Sequence, residues 1–267
     1  MTRNQERKIN ELDEMVDKQR IKEKNSEDKD AYQRVFDART ISTLRKLLNT
    51  GVISKLVGII SQGKEANVYF AYGAQQESLA IKIYKIDIQS ARWMKNYIKG
   101  DPRFKKIGSN PDQIIFMWCQ KEFRNLKQID NADLPCPIPL HFKNNVLVMT
   151  FIGNADGTPA RKLKECVSLF QNPAKELETS LDYIDRLYRT AHLVHADLSE
   201  FNILYHESKQ ILIDVSQAVS IAHPKAKQYL ARDIRNIINF YSRMDVPIPD
   251  PMEIYTNIIE KGHKSDE

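Results

Sequence analysis

The stretch Val194-His195-Ala196-Asp197-Leu198-Ser199-Glu200-Phe201-Asn202-Ile203-Leu204 sets a carboxylate and an amide five residues apart, and Ile211-Leu212-Ile213-Asp214 ends in a second carboxylate. Together these groups suit phosphoryl transfer. One carboxylate can sit beside the attacking oxygen, while the amide and the other carboxylate hold Mg2+ against phosphate oxygens. A second chemical signal is Lys82, centred in the apolar run Leu79-Ala80-Ile81-Lys82-Ile83-Tyr84. A buried lysine there is costly without an anionic partner. A third is Gly58-Ile-Ile-Ser-Gln-Gly63-Lys64-Glu65, a near match to the Walker phosphate loop G-x-x-x-x-G-K-[ST]. Glu65 stands where that loop needs a hydroxyl, and Asn67–Tyr72 reads as a strand where it needs a helix, so the Walker reading fails. Ser61, Gly63 and Lys64 fit another design, a strand–turn–strand whose backbone N–H groups cover phosphates.

Elements able to position these groups follow from periodicity. Short runs rich in β-branched and aromatic residues predict strands at Leu56–Ile60, Asn67–Tyr72 and Leu79–Tyr84, then at Ile138–Phe142 and Val146–Phe151. A long helix is expected over Gln113–Ile129, with Asp112 as an N-terminal charge or cap. The segment between, 86–112, reads as basic and irregular, broken by Gly100, Pro102, Gly108 and Pro111. The second half changes character. Helices are expected over Pro173–Ala191, Pro224–Phe240 and Pro251–Ile259, with a loop–strand–turn–strand unit over 192–214 that gathers Asp197, Asn202 and Asp214. Upstream, Ala38–Asn49 predicts a packed helix capped at Gly51, and residues 1–30 a charged arm with a thin stripe of Ile9, Leu12, Met15 and Val16. Strands first and helices after suggest an α+β protein of two lobes with a ligand cleft between them.

Composition narrows the classes. The 267 residues suffice for one large domain or two small ones, and no apolar run approaches the ~20 residues of a membrane span. The first residues have no apolar signal region, so the reading is a compact soluble chain, intracellular and cytoplasmic. Cys119, Cys136 and Cys166 are widely spaced and pair with no histidine at metal spacing, which predicts reduced thiols and no structural zinc. A net charge of +5 leans weakly toward an anionic partner such as nucleotide or RNA.

Three of these segments resemble protein-kinase motifs: Ala80-Ile-Lys82 the V-A-I-K strand, His195–Asn202 the H-R-D-L-x-x-x-N loop, and Asp214 the metal-binding aspartate. More specifically, the chain resembles the RIO family of atypical protein kinases, and its first branch rather than its second. The resemblance runs from about Val35 to Ile259 and rests on Ser61-Gln-Gly-Lys-Glu-Ala-Asn-Val-Tyr69, Lys121-Glu-Phe-Arg-Asn-Leu126, Leu193–Leu204 and Ile213-Asp-Val-Ser-Gln-Ala-Val219. A second-branch member would begin with a winged-helix domain, for which the residues before the first strand are too few. The lack of the long basic tail expected of eukaryotic relatives suggests a compact, archaeal-type member.

The resemblance implies a two-lobed protein-kinase-like fold: an N-terminal antiparallel sheet with one long helix, and a reduced helical C-terminal lobe. Its expected divisions are a helical extension (1–50), an N-lobe (51–151) and a C-lobe (152–267). It implies that Lys82 contacts ATP phosphates and pairs with Glu122. Asp197 becomes the catalytic carboxylate, and Asn202 and Asp214 hold Mg2+, with Mn2+ able to substitute. Met149 would back the adenine pocket, with Thr150-Phe151-Ile152 as the hinge. Asp214 would also accept phosphate as an aspartyl-phosphate, and the insert 86–112 would be a flexible loop carrying an autophosphorylation site, for which Ser109 is the candidate. The charge of that insert and its aromatics Trp93, Tyr97 and Phe104 would suit RNA. The expected partners are ATP and, by resemblance alone, the maturing small ribosomal subunit and its RNA.

Departures from ordinary protein kinases matter too. One glycine replaces G-x-G-x-x-G, Ser199 stands where a lysine is usual, D-F-G is Asp214-Val-Ser216, and no A-P-E follows. A peptide-docking subdomain therefore has little room, and ATP hydrolysis coupled to a switch fits better than phosphorylation of many proteins. Two rivals remain. A small-molecule phosphotransferase of the choline or aminoglycoside kinase type shares the H-x-D…N…D core but not the Ser61–Tyr69 loop. A non-catalytic RNA-binding factor that uses ATP as a structural ligand would not need Lys82, Asp197, Asn202 and Asp214 all intact.

Overall fold

A computed structural model describes residues 36–263. The arm over residues 1–30 lies outside them. Contacts divide the chain into Met1–Lys46 and Leu47–Glu267, the boundary falling inside the first helix, α1 (Ala38–Asn49). At its end Gly51 takes φ +73°, and Val52 N–H donates to Leu47 O, closing the helix in a left-handed cap.

Five antiparallel strands follow: β1 (Lys55–Gln62), β2 (Ala66–Tyr72), β3 (Ser78–Tyr84), β4 (Pro139–Lys143) and β5 (Val146–Thr150), in the order β1-β2-β3-β5-β4. β3 is central. Leu79, Ala80, Ile81, Ile83 and Tyr84 are all buried, and Lys82 lies between Val68 of β2 and Leu147 of β5. β1 is an edge strand with two register shifts, between Leu56 and Gly58 and between Ile59 and Ser61, irregularities of the kind that bend a strand.

Two helices separate β3 from β4. The longer, α3 (Pro111–Asp130), starts where its residue types dictate: Pro111 at the first position and Asn110 as cap, its Oδ1 accepting from Asp112 N–H at 2.8 Å. The cap is thus Asn110, and Asp112 supplies the first-turn charge. The other helix, α2 (Ile88–Ile98), corrects the reading of 86–112 as wholly irregular. Asp87 caps it by accepting from Ser90 N–H at 2.7 Å, and Ala91, Met94 and Ile98 are buried on one face. The insert's aromatics are packed as well. Trp93 meets Trp118 of α3 edge-on at 5.2 Å, Tyr97 stacks on Tyr229 at 5.5 Å, and Phe104 is buried. Their faces are therefore engaged by protein, not offered to bases.

The C-terminal half holds α4 (Pro173–Arg189), α5 (Ala226–Tyr241) and α6 (Pro251–His263), with five short strands: β6 (Arg161–Lys162), β7 (Leu193–Val194), β8 (Ile203–His206), β9 (Lys209–Leu212) and β10 (Val219–Ser220). The two-residue pieces β6 and β10 carry too little pattern to be read from sequence. A continuous core links the halves, from Tyr84, Trp118 and Leu126 to Leu187, Ile203, Leu212 and Ile234. Polar clips reinforce it: Gln128 Nε2 donates to Ala191 O at 2.6 Å, and Arg186 Nη2 to Ala132 O at 2.9 Å. This is the two-lobed, kinase-like α+β architecture. The three cysteines are free thiols, and among the described residues no helix is long and apolar enough to cross a membrane.

Candidate active site

A cleft of about 570 Å3 lies between the sheet and the loops of the second half. Its size suits a nucleotide. Ser61, Gly63, Lys64 and Glu65 line it from the β1–β2 turn, Lys82 from β3, Glu122 from α3, Met149, Thr150 and Ile152 from the end of β5 and beyond, and Asp197, Asn202 and Asp214 from the opposite loops. Twelve groups scattered over 154 positions thus face one space. Ser109 does not. It is exposed in the turn before α3 and is not part of the cleft wall.

At the centre, Lys82 Nζ donates to Glu122 Oε1 at 2.7 Å and to Asp214 Oδ1 at 2.8 Å. The other Glu122 oxygen accepts from the Tyr84 hydroxyl. Burial alone would depress the ammonium, yet Asp214 and Glu122 outweigh it and hold the Lys82 pKa above its ordinary value. Burial pushes Glu122 up, with Lys82 opposing. Asp214 moves the other way: burial raises it, but the Lys82 ammonium and its hydrogen bond prevail and keep the carboxyl ionised. Asp214 sits at φ +56°, a left-handed conformation that a non-glycine residue holds only when its surroundings demand it. Lys82 and Ser216 Oγ both contact Oδ1, which leaves Oδ2 for a ligand.

Asp197 accepts from Gln217 Nε2 at 2.9 Å and from Asn202 Nδ2 at 3.3 Å, while Asn202 Nδ2 also donates to Asp197 O at 2.8 Å. These bonds commit the Asn202 nitrogen and turn its amide oxygen to other work. Burial and the nearby Asp214 charge raise the Asp197 pKa, against Arg232 and the two amides. Hard oxygen donors at Asn202 and Asp214, beside a lysine, fit Mg2+ carried by a nucleotide. Among the described residues no group of three or more His, Cys, Asp and Glu forms a metal cage of its own, so phosphate oxygens would complete the shell.

Several supports escaped the sequence reading. Asp233 of α5, fully buried, accepts from Ala196 N–H at 2.8 Å and from Leu198 N–H at 3.0 Å, pinning both sides of Asp197. Burial pushes its pKa up to about 7, against the two amides that favour the charged form. Arg232 donates to Ala196 O, and Asn236 Nδ2 to Leu198 O at 2.9 Å. His195 Nε2 lies 3.1 Å from Ile213 O and burial drives its pKa down to about 4, so a neutral imidazole ties the two loops together. In sequence, Arg232-Asp233 looks like any charged pair on a helix, and only its placement under the loop marks it.

On the phosphate-loop side, Gly63 N–H donates to Ala66 O at 2.9 Å, and Lys85 Nζ to Gly63 O at 2.7 Å. A Cβ on Gly63 would stand 2.8 Å from Ala66 O, so the turn needs glycine for close approach. Glu65, half-buried in the cleft, has a pKa raised to about 7, chiefly by burial and next by Asp214.

The chain is similar to known proteins over most of its length. The RIO domain profile matches residues 67–256. The human serine/threonine-protein kinase RIO1 is 42% identical over 243 residues, covering 90% of this chain and 42% of that protein. The RIO-type serine/threonine-protein kinase Rio1 of Haloferax volcanii is 40% identical over 231 residues, covering 86% of this chain and 78% of that protein. The chain thus spans well under half the length of the human relative and most of the Haloferax one. In structure, the chain is similar to the Chaetomium thermophilum Rio2 kinase in its ADP/Mg2+–phosphoaspartate complex, with a TM-score of 0.61 at 22% identity over 80% of this chain and 64% of that one.

Proposed function

Since the chain belongs to the RIO domain family, we propose that it is a Mg2+- and ATP-dependent atypical serine/threonine kinase and ATPase, acting in maturation of the small ribosomal subunit. One observation carries the chemistry: a single lysine, Lys82, joins Glu122 of α3 to Asp214 in a cleft that also presents Asp197 and Asn202. In this reading Lys82 binds nucleotide phosphates, and the end of β5 (Met149, Thr150, Ile152) seats the base. A bound Mg2+ supplies charge neutralisation on the phosphate oxygens. The Ser61–Lys64 turn lays its backbone over the phosphates.

Asp214, ionised through Lys82, is the proposed nucleophile. Its Oδ2 forms a bond to the γ-phosphorus as the bond from phosphorus to the β–γ bridging oxygen breaks, and ADP leaves. Water then attacks the phosphorus, Asp197 takes its proton, and inorganic phosphate departs with Asp214 restored. When a serine hydroxyl stands in for water, the product is a phosphoserine, and exposed Ser109 is the candidate for transfer to self. The phosphoaspartate of the Chaetomium Rio2 complex supports the covalent route by analogy. The role on ribosomal particles and their RNA rests on family membership alone. The Trp93, Tyr97 and Phe104 packing moves any RNA contact by the insert onto exposed cations such as Lys105 and Lys106.

Labelled-phosphate transfer from Mg-ATP to the purified protein tests this, comparing wild type with Asp214→Asn before and after hydroxylamine. Hydroxylamine-labile label on wild type alone is expected. Hydroxylamine-stable label alone would move the chemistry to direct serine transfer, and neither label nor ADP would overturn the enzyme reading.

A further inference from the structure

Helix α3 buries three polar side chains in five residues: Lys121, Glu122 and Asn125 are each at most 1% exposed. Glu122 is accounted for by Lys82. Lys121 is not, and a lysine sealed from water must be matched by acceptors. Its Nζ donates to Ser216 O at 2.8 Å and to Ala218 O, and lies 5.1 Å over the Trp118 ring. Asn125, one turn along the same face, donates from Nδ2 to Val215 O at 2.7 Å and to Ala218 O at 3.0 Å. Three carbonyls within four residues of Asp214, those of Val215, Ser216 and Ala218, are therefore held by two side chains of one helix.

The insert fixes the orientation of that amide. Asn125 Oδ1 accepts from Arg103 Nη1 at 2.8 Å, and Arg103 is forked onto buried Asp101 at 2.9 and 2.7 Å. With its oxygen committed to Arg103, Asn125 can present only its nitrogen to the loop. Burial and the Arg103 charge pull the Lys121 pKa well down, with Asp101 and Glu122 opposing. Even an uncharged amine keeps two N–H donors, enough for both carbonyls.

We infer that Lys121, with Asn125, is a positioning residue: it fixes the backbone after Asp214, stabilises that residue's left-handed conformation, and so sets where Oδ2 meets a Mg2+–nucleotide. The inference rests on the kinase/ATPase reading for its catalytic meaning, but not for its structural one. The lysine reaches this backbone from α3, on the side away from the ligand-facing carboxylates.

The test compares full-length wild type, Lys121→Met and Lys121→Gln in two measurements. Outer contacts of a metal ligand commonly change metal affinity about 10–100-fold. Lys121→Met is therefore expected to raise the half-saturating Mg2+ for ATP turnover about tenfold, with recovery at high Mg2+, while ADP affinity without metal stays within about twofold. Lys121→Gln, which keeps an NH2 donor group on a shorter side chain, should fall between. In the second measurement, hydrogen exchange at the Ala218 amide should quicken in Lys121→Met while the central strands hold. An unchanged Mg2+ dependence, or a parallel loss of metal-free ADP binding, would overturn the inference. A wild type without turnover would instead sink the enzyme reading, and hydrogen exchange alone would then decide whether Lys121 holds the loop. If Lys121→Met does not fold, Asn125→Asp, which keeps the Arg103 contact and loses both donors, should give the same shifts.

Discussion

On one wall of the cleft, side chains of α3 and α5 reach up to backbone atoms: Lys121 and Asn125 to the loop after Asp214, and Asp233, Arg232 and Asn236 to the loop around Asp197. On the other wall, the Ser61–Glu65 turn is held by a Gly63–Ala66 backbone bond and by Lys85, whose chain amide meets Glu65 O and whose ammonium meets Gly63 O. Ser61, Gly63 and Lys64 are exposed, whereas Asp233, Lys121 and Asn125 are sealed. The carboxylate wall therefore has its geometry fixed before a ligand arrives, in keeping with electrostatic preorganisation. The phosphate-loop wall is left to adapt to what binds. Changes on the two walls should then carry different signatures, loss of stability and turnover on the first and loss of nucleotide affinity on the second.

The hardest blow to that contrast falls where the walls meet, at Lys82. Lys82→Met leaves Glu122 buried without its cation, a change expected to cost about 3 kcal/mol in chemical denaturation. ATP turnover should fall by about 100-fold or more. Adding Glu122→Leu should restore much of the stability and none of the turnover, which separates the structural part of the pair from the chemical one. A single variant as stable as wild type would mean that the ion pair does not organise the cleft.

Next comes the carboxylate wall alone. Asp233→Ala strands the Ala196 and Leu198 amides in a dry site and should destabilise the protein by about 2–3 kcal/mol. Turnover should drop with it, and KM for ATP should move little. If KM rises and kcat is spared, the loop is not preset and the contrast fails. A smaller effect belongs to the opposite wall. Gly63→Ala drives a Cβ toward Ala66 O, so the turn must shift. KM for ATP should rise several-fold while the melting temperature stays within about 2 °C, a surface-scale change.

The contrast also explains what the sequence could and could not convey. Strands β2, β3 and β5 show their period and burial in residue type, and Lys82, Asp197, Asn202 and Asp214, the groups proposed to meet ligand, occur at spacings that chemistry suggests and line one cleft. Asp233, Lys121 and Asn125 were not legible, because a charged or amide residue on a helix has the same signature whether it faces water or a carbonyl. Helix α2 was lost for another reason. Gly100, Pro102, Gly108 and Pro111 dominate the segment, but all four lie after Ile98. The eleven residues from Ile88 hold no breaker, follow an aspartate cap, and place Ala91, Met94 and Ile98 at helical spacing. Reading the breakers as the helix's end, rather than as the character of the whole insert, would have found it.

The smallest expected effect concerns Glu65, a carboxyl on the adaptable wall. Its folded pKa of about 7 lies above the ordinary 4.5 of a glutamate, raised first by burial and then by Asp214. A carboxyl held protonated by the fold favours folding fully below its unfolded pKa and loses that contribution as pH rises through the folded one. The protein should therefore lose a little stability between about pH 4.5 and 7 on this account, and none beyond. Glu65→Gln removes the titration, so variant and wild type should unfold alike near pH 4.5, with the variant gaining by pH 7.5. Because Glu65 is only half-buried, solvent screening keeps the gain small. Mg-ATP adds a cation beside Asp214 and should shrink the gap further. A gap that opens toward acid pH would mean that Glu65 is held ionised, and that this wall is as firmly preset as the other.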